Sequence, residues 1–119
     1  EMSADADDAH ALREQIQGLN EQVTGKRREI QLVESELAGV RDLWSKNLVP
    51  ITRVSTLERD AARLQGEHGQ LLSTMAQTRG KITETEQQRL QIDQDLRTEV
   101  NKELGEVRSR LADLGEKRI

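Results

Sequence analysis

Apolar residues recur at alternating spacings of three and four in the first part of the chain, and this repeat constrains the fold more than any other feature. The stripe runs through Ala9, Leu12, Ile16, Leu19, Val23, Lys26, Ile30, Val33, Leu37, Val40 and Trp44, with Lys26 as its polar interruption. Such a heptad repeat is typical of a helix that buries one narrow stripe against another helix. It predicts helix 1 over about residues 6–46.

A second, less regular stripe follows the single proline. It runs through Val54, Leu57, Ala61, Leu64, His68, Leu71, Met75, Thr78, Ile82, Thr85, Arg89, Ile92 and Leu96. The spacing then changes to four and four before the repeat resumes, through Val100, Leu104, Val107, Leu111 and Leu114. We interpret this change as a stutter that locally unwinds a coiled coil. Helix 2 is therefore predicted over about residues 51–117.

Composition excludes several other classes of protein. The 119 residues include one tryptophan, no phenylalanine, tyrosine or cysteine, and 34% charged residues, so they cannot fill a conventional globular core. A net charge of −4 with both signs interspersed offers no basic surface for nucleic acid or anionic lipid. No apolar run approaches the roughly 18 residues of a membrane span. We therefore expect no nucleic-acid partner and no direct membrane contact by this segment.

No set of residues indicates catalysis. The two histidines, His10 and His68, lie far apart, and the many carboxylates are spread over helix surfaces. A single helical hairpin also offers no cleft of useful volume. We predict that the chain is not an enzyme and that it holds no cofactor or metal ion.

The segment between the two stripes, WSKNLVPITRV, predicts a reversal of the chain. Asn47 can adopt the left-handed conformation that ends a helix, and Pro50 disfavours helix at Val49 while presetting the next helical turn. With tip residues 47–50 between the helices, antiparallel neighbours are expected. The predicted fold is all-α, a long antiparallel two-helix coiled-coil hairpin with the second helix longer than the first. Matching the stripes outward from the turn places Val40 near Leu57 and Val23 near Met75.

The end of helix 2 extends beyond helix 1 in this arrangement. At 1.5 Å per residue the helices measure about 60 and 100 Å, so the apolar stripe after roughly Leu90 has no partner within the hairpin. It must pack on something else, either an upstream helix of a longer protein or another copy of the chain.

The turn and the returning helix carry a resemblance to a known family. The stretch RDLWSKNLVPITRVSTLERDAARLQGEHGQL resembles the hairpin tip and returning helix of haemolysin-D-like periplasmic adaptors, or membrane fusion proteins, of type I secretion systems. Residues 43–50 match the tip pattern in order, and Leu57-Glu58-Arg59 follows. This sequence departs from the pattern at Asn47, where relatives often have Gly, at Pro50, where they often have Ser, and at Gly39, where some have Arg.

The resemblance implies a structural subunit of a secretion conduit. Such a protein is anchored in the inner membrane of a Gram-negative bacterium, and its hairpin crosses the periplasm to meet a TolC-like outer-membrane channel. Several copies, commonly six, form a tube with an inner-membrane ABC transporter. The lipoyl-like, barrel and membrane-anchor parts of such adaptors are absent from this sequence. The alternative is a generic coiled-coil scaffold or dimerisation module, in which the two helices join into one rod; Pro50 disfavours this because a proline costs about 3 kcal/mol inside a helix.

Two groups of residues are candidate contact sites. The partner-binding residues implied at the tip are Leu43, Trp44, Lys46, Asn47, Leu48, Val49, Pro50 and Arg53, and Arg41 is an alternative to Arg53 as the basic contact. In the competing interpretation, Val49 packs on Val54 to close the turn, and Trp44 fills the wide end of the seam. The candidate lateral contacts between neighbouring hairpins are small residues at heptad spacing: Gly18, Gly25, Gly39, Gly66, Ser73 and Gly80. The competing interpretation of these is a solvated face that tolerates small residues.

Overall fold

Two long helices that run in opposite directions make up the molecule. The structure is a computed structural model that describes the backbone of residues 2–117 and the side chains of residues 6–116. Helix α1 spans Met2–Ser45 and helix α2 spans Ile51–Lys117. The hairpin extends 109 × 16 × 15 Å along its principal axes, so it is a rod only two helices wide. The predicted all-α antiparallel hairpin with a longer second helix is confirmed.

The buried side chains follow the two predicted stripes. Those of α1 are Ala9, Val23, Ile30, Leu37 and Val40, and those of α2 are Val54, Leu57, Leu64, Met75 and Thr78. This apolar seam has no third layer, because the remaining faces of both helices are exposed to solvent. Burial of the stripe supplies the main stabilisation that a long amphipathic helix requires.

Polar contacts across the seam show that the register is constant along its length. Arg13 Nη2 lies 2.6 Å from Glu86 Oε1 near the open end, and Arg41 Nη2 lies 3.1 Å from Glu58 Oε1 near the tip. The residue numbers of each pair add up to 99, as do those of Glu34 and Gln65, whose side chains hydrogen-bond at 3.4 Å in between. These three contacts share one register, whereas the long side chains of Lys26 and Glu67 meet from positions that are several residues out of level with it.

Lys26 and Thr78, two of the polar residues that interrupt the seam, have hydrogen-bond partners. Lys26 is only 20% exposed, and its Nζ reaches the rim, where it lies 2.7 Å from Glu67 Oε2. Glu67 also accepts a hydrogen bond from Arg63, and the buried Thr78 hydroxyl donates to the Thr74 carbonyl at 2.9 Å. Lys26 thus places its aliphatic stem in the seam and its charge at the edge.

The last part of α2 extends beyond α1. Its apolar side chains, which are all exposed, are Leu96, Val100, Leu104, Val107, Leu111 and Leu114. Within the part of the chain that the structure describes, neither helix contains a stretch that is both long enough and apolar enough to cross a bilayer.

The exposed glycines predict a simple effect on stability. A Cβ atom added at Gly69 would meet no atom within 4 Å, and alanine in a helix interior is favoured over glycine by up to about 1 kcal/mol. Gly69→Ala should therefore raise the free energy of unfolding by up to about 1 kcal/mol, measured from urea midpoints at constant m. Ala76→Gly, at another exposed position of α2, should lower it by a similar amount. A lower urea midpoint for Gly69→Ala would contradict this expectation, because it would mean that other atoms occupy the space beside Gly69.

The Lys26–Glu67 pair predicts a loss of stability in acid. Hydrogen bonds from Lys26 and Arg63 hold the pKa of Glu67 below its ordinary value of 4.5. The pair therefore contributes fully above that value, and its contribution is lost as the pH falls through the folded pKa. Between about pH 5 and pH 3, the melting temperature of the wild-type chain should fall more steeply than that of Glu67→Gln.

The same pair gives a complementary expectation in base and a control in acid. The hydrogen bond to Glu67 raises the pKa of Lys26 above 10.5, so this contribution is complete below that value and is lost as the pH rises through the folded pKa. Glu103→Gln changes a carboxylate of the exposed end of α2, and it should keep the wild-type slope in acid. Identical slopes for wild type and Glu67→Gln would contradict the assignment.

Candidate docking site at the hairpin tip

Helix α1 ends in a hydrogen-bonded turn that depends on Asn47. This residue has φ 59°, the left-handed conformation expected from the sequence. Its N–H donates to the Trp44 carbonyl at 2.9 Å, and the Leu48 N–H donates to the Leu43 carbonyl at 2.9 Å. The two bonds form a Schellman motif, which satisfies carbonyl groups of the last helical turn. The position of Leu48 is therefore fixed by the backbone.

The start of α2 completes the reversal. Pro50 directly precedes the first residue of the helix, and its carbonyl accepts a hydrogen bond from the Arg53 N–H at 3.1 Å. Pro50 has no backbone N–H, so its position immediately before the helix adds no unpaired donor of its own. Backbone hydrogen bonds on both sides of the turn therefore define the conformation of the tip.

One apolar residue of the tip packs against the core, and several others are exposed. Val49 packs against the core cluster of Leu37, Val40, Val54 and Leu57. Leu48 is 66% exposed at the end of the rod, and Leu43, Trp44 and Ile51 are also exposed. Val49 therefore closes the seam, which leaves Leu48 as the projecting apolar side chain.

The prediction that Trp44 fills the wide end of the seam is wrong. Its side chain is 45% exposed. Val49, and not Trp44, packs against the core cluster beside the turn. Trp44 belongs to the exposed apolar surface of the tip.

The cations at the tip differ in their partners. Lys46 Nζ lies 3.1 Å from Asp42 Oδ2 within α1, and Arg41 pairs with Glu58 across the seam. Arg53 is exposed, and it forms none of the ion pairs found among the described side chains. Of the two arginines considered from the sequence, Arg53 is the one whose guanidinium is available to another protein.

Sequence reasoning missed Ile51 at this site. It is the first residue of α2 and about half of its surface is exposed. The available signal was its position: Ile51 lies outside the stripe that begins at Val54, so the seam has no place for it. The tip therefore presents four exposed apolar side chains, those of Leu43, Trp44, Leu48 and Ile51.

The six small residues singled out from the sequence lie on exposed faces of both helices. They are Gly18, Gly25 and Gly39 on α1, and Gly66, Ser73 and Gly80 on α2. A Cβ atom at any of the five glycines would meet no atom within 4 Å. The hairpin does not bring the two sets together, so close packing within this chain does not require them.

The comparisons with known proteins agree with this architecture. The family described as AprE, long alpha-helical hairpin, matches residues 1–119. The chain belongs to this family. The type I secretion system membrane fusion protein PrsE of Rhizobium meliloti (strain 1021) is 39% identical over 107 residues, which cover 90% of this chain. Together these findings confirm the resemblance to haemolysin-D-like adaptor hairpins.

The match covers most of this chain but only a small part of the relative. The matched region is 24% of PrsE, so the chain spans about a quarter of that protein's length. No solved structure matches the chain.

The left-handed residue of the tip predicts a measurable strain. A side chain other than that of Gly or Asn pays roughly 1–2 kcal/mol in this conformation, and a β-branched one pays the most. Asn47→Val should therefore lower the free energy of unfolding by about 1–2 kcal/mol, while Asn47→Gly should leave it unchanged or raise it. Urea unfolding of the three proteins checks this. A stable Asn47→Val protein would mean that the turn does not need a positive φ.

Proposed function

We propose that the chain is the hairpin of a structural adaptor in a type I protein secretion system, and that its tip docks onto a TolC-like outer-membrane channel. The observation that carries this proposal is the tip itself. Four apolar side chains are exposed on a hydrogen-bonded turn at the end of a 109 Å rod, while Val49 packs against the core cluster beside them. Exposed apolar clusters of this kind mark interaction sites.

The chemistry of the tip suits a partner groove that is apolar with an acidic edge. Leu48 supplies an anchor without a polar group, and Trp44 adds a large, rigid surface, which is typical of binding hot spots. Arg53 supplies a guanidinium that forms no ion pair among the described side chains. Lys46 contributes less, because Asp42 already pairs with it.

The proposed setting follows from the family and from the relative's name. We place the protein in the periplasm of a Gram-negative bacterium, with the full-length protein anchored in the inner membrane. Its partners are an inner-membrane ABC transporter, the outer-membrane channel and other copies of itself, six in the full assembly. The role is structural and not enzymatic, and it needs no cofactor. The scaffold alternative lacks an explanation for an apolar tip held in a fixed geometry.

Replacing Leu48 tests the docking role without disturbing the seam. Leu48→Asp should weaken binding of the chain to a purified TolC-like channel at least tenfold, because removing a buried leucine anchor costs about 1.5–3 kcal/mol. Circular dichroism should show unchanged helicity, since the Leu48 side chain lies outside the seam. Val49→Asp is unsuitable for this purpose because Val49 packs on the core cluster.

Leu90→Asp is the matched control. Leu90 is 61% exposed, close to the value for Leu48, but it lies on α2 far from the tip. This variant should bind the channel as the wild-type chain does. Equal loss by both variants would indicate a nonspecific effect of charge, and no binding by the wild-type chain would contradict the docking proposal itself.

A further inference from the structure

One flank of the seam carries polar contacts at heptad spacing, and one arginine on this flank has no carboxylate opposite it. The contacts are Arg13–Glu86, Glu34–Gln65 and Arg41–Glu58. Arg27 lies on the same flank of α1, seven residues before Glu34 and fourteen after Arg13. Its counterpart on α2 at the same spacing is Leu72, seven residues after Gln65. A leucine cannot pair with a cation, so Arg27 must find a partner elsewhere.

Arg27 donates to a histidine of the seam. Its Nε lies 3.4 Å from Nε2 of His68, which is one helical turn before Leu72 on α2. His68 belongs to the apolar stripe and is half-buried. Arg27 forms no ion pair among the side chains that the structure describes. The contact requires a neutral imidazole, because Nε2 can accept a hydrogen bond only when it carries no proton.

The carboxylates near His68 bind other groups. The charged residues of this part of the seam are Lys26, Arg27, Glu29 and Glu34 on α1, and Arg63 and Glu67 on α2. Glu67 accepts hydrogen bonds from Lys26 at 2.7 Å and from Arg63 at 3.0 Å. Glu29 lies 3.8 Å from Lys26, and Glu34 accepts from the Gln65 amide at 3.4 Å. A positive charge on His68 would therefore lie beside Arg27 without a carboxylate of its own.

We propose that His68 and Arg27 make the middle of the seam sensitive to mild acid. Histidine is the side chain that ordinarily changes its charge between about pH 5 and 8. When the His68 imidazole takes up a proton, Nε2 becomes a donor and the hydrogen bond from Arg27 is lost. Two cations then lie side by side, and their repulsion loosens the seam around His68. The turn at the tip contains no histidine and keeps its conformation.

The pH range of this effect differs from that of the neighbouring Lys26–Glu67 pair. A histidine ordinarily titrates near pH 6.5, so the contact between Arg27 and His68 is complete above about pH 7.5 and lost below about pH 5.5. Stability therefore falls as the pH falls through this range. Glu67 stays ionised throughout it, because hydrogen bonds from Lys26 and Arg63 hold its pKa below 4.5. The seam thus responds to acid in two separate steps.

The other histidine of the chain has the opposite kind of partner. His10 Nε2 lies 3.0 Å from Glu14 Oε1, one helical turn further along α1, and both side chains are exposed. A proton on His10 strengthens its contact with a carboxylate, because opposite charges four residues apart attract on a helix. A loss of stability in mild acid therefore cannot come from His10, and the two histidines can be separated by the sign of their effects.

Thermal unfolding of the chain at low ionic strength tests the proposal. The melting temperature of the wild-type chain should fall by about 1–4 °C between about pH 7.5 and pH 5.5, the shift expected from a single charge contact near the surface. His68→Gln should remove this fall, since an amide oxygen can accept from Arg27 at every pH. Arg27→Gln should reduce it, because the repelling cation is gone. A wild-type melting temperature that stays constant or rises would overturn the proposal.

Leu72→Glu should reverse the sign of the effect. It places a carboxylate opposite Arg27 and four residues after His68, so the protonated imidazole gains an attractive partner. The melting temperature of this variant should rise in mild acid, whereas that of the uncharged Leu72→Gln control should fall as in the wild type. His10→Gln should also keep the fall. An undiminished fall in His68→Gln or in Leu72→Glu would assign the effect to other groups and overturn the proposal.

Hydrogen exchange shows where the seam loosens. Between about pH 7.5 and pH 5.5, and after correction for the intrinsic exchange rate, amides of residues 64–72 should lose about two- to fivefold in protection. Amides of residues 43–54 at the tip should keep theirs. In His68→Gln both segments should stay equally protected at the two pH values. An equal loss along the whole rod would indicate a general effect of charge and overturn the proposal of a local response at His68.

Discussion

The hairpin depends on a single apolar seam, because two helices can bury only one stripe each. Of the ten stripe residues from Ala9 to Val40, five are buried and five are half-buried, and the core has no second layer behind them. The single seam gives a rod 109 Å long and about 16 Å wide, because a chain with one aromatic residue cannot fill a broader core. The faces outside the seam are consequently exposed, and at the tip this exposed surface includes a cluster of apolar side chains.

The polar interruptions show how the seam keeps one register. An apolar heptad stripe tolerates a shift by seven residues, since the same positions would face each other again. In the direction that carries Lys26 further from Glu67, such a shift adds about 10 Å along the axis and breaks the 2.7 Å contact at the rim of the seam. The turn fixed by Asn47 imposes the same register from the other end, so local turn chemistry and the mid-seam charges agree. Consistency of this kind favours one structure over its near alternatives.

The sequence was sufficient for the fold and only partly for the tip. Heptad spacing identified the seam residues, and the combination of Asn47 with Pro50 identified the reversal, because both signals are local. The sequence could not decide between an exposed and a seam-filling Trp44, since its heptad position fits the seam and its place at the tip fits a contact site. Ile51 was missed although its position outside the stripe was a local signal. Which arginine remains unpaired likewise depends on Glu58 reaching Arg41 across the seam, and this follows only from the three-dimensional register.

The packing of the hairpin itself does not explain why glycines occupy exposed positions inside both helices. Each interior glycine costs up to about 1 kcal/mol relative to alanine, and the hairpin gains nothing in return, because a Cβ atom at Gly25, Gly39 or Gly66 would meet only open space. Solvent exposure alone would favour alanine, glutamate or lysine at these positions. These glycines therefore lower the stability of the helices without a compensating contact inside the hairpin.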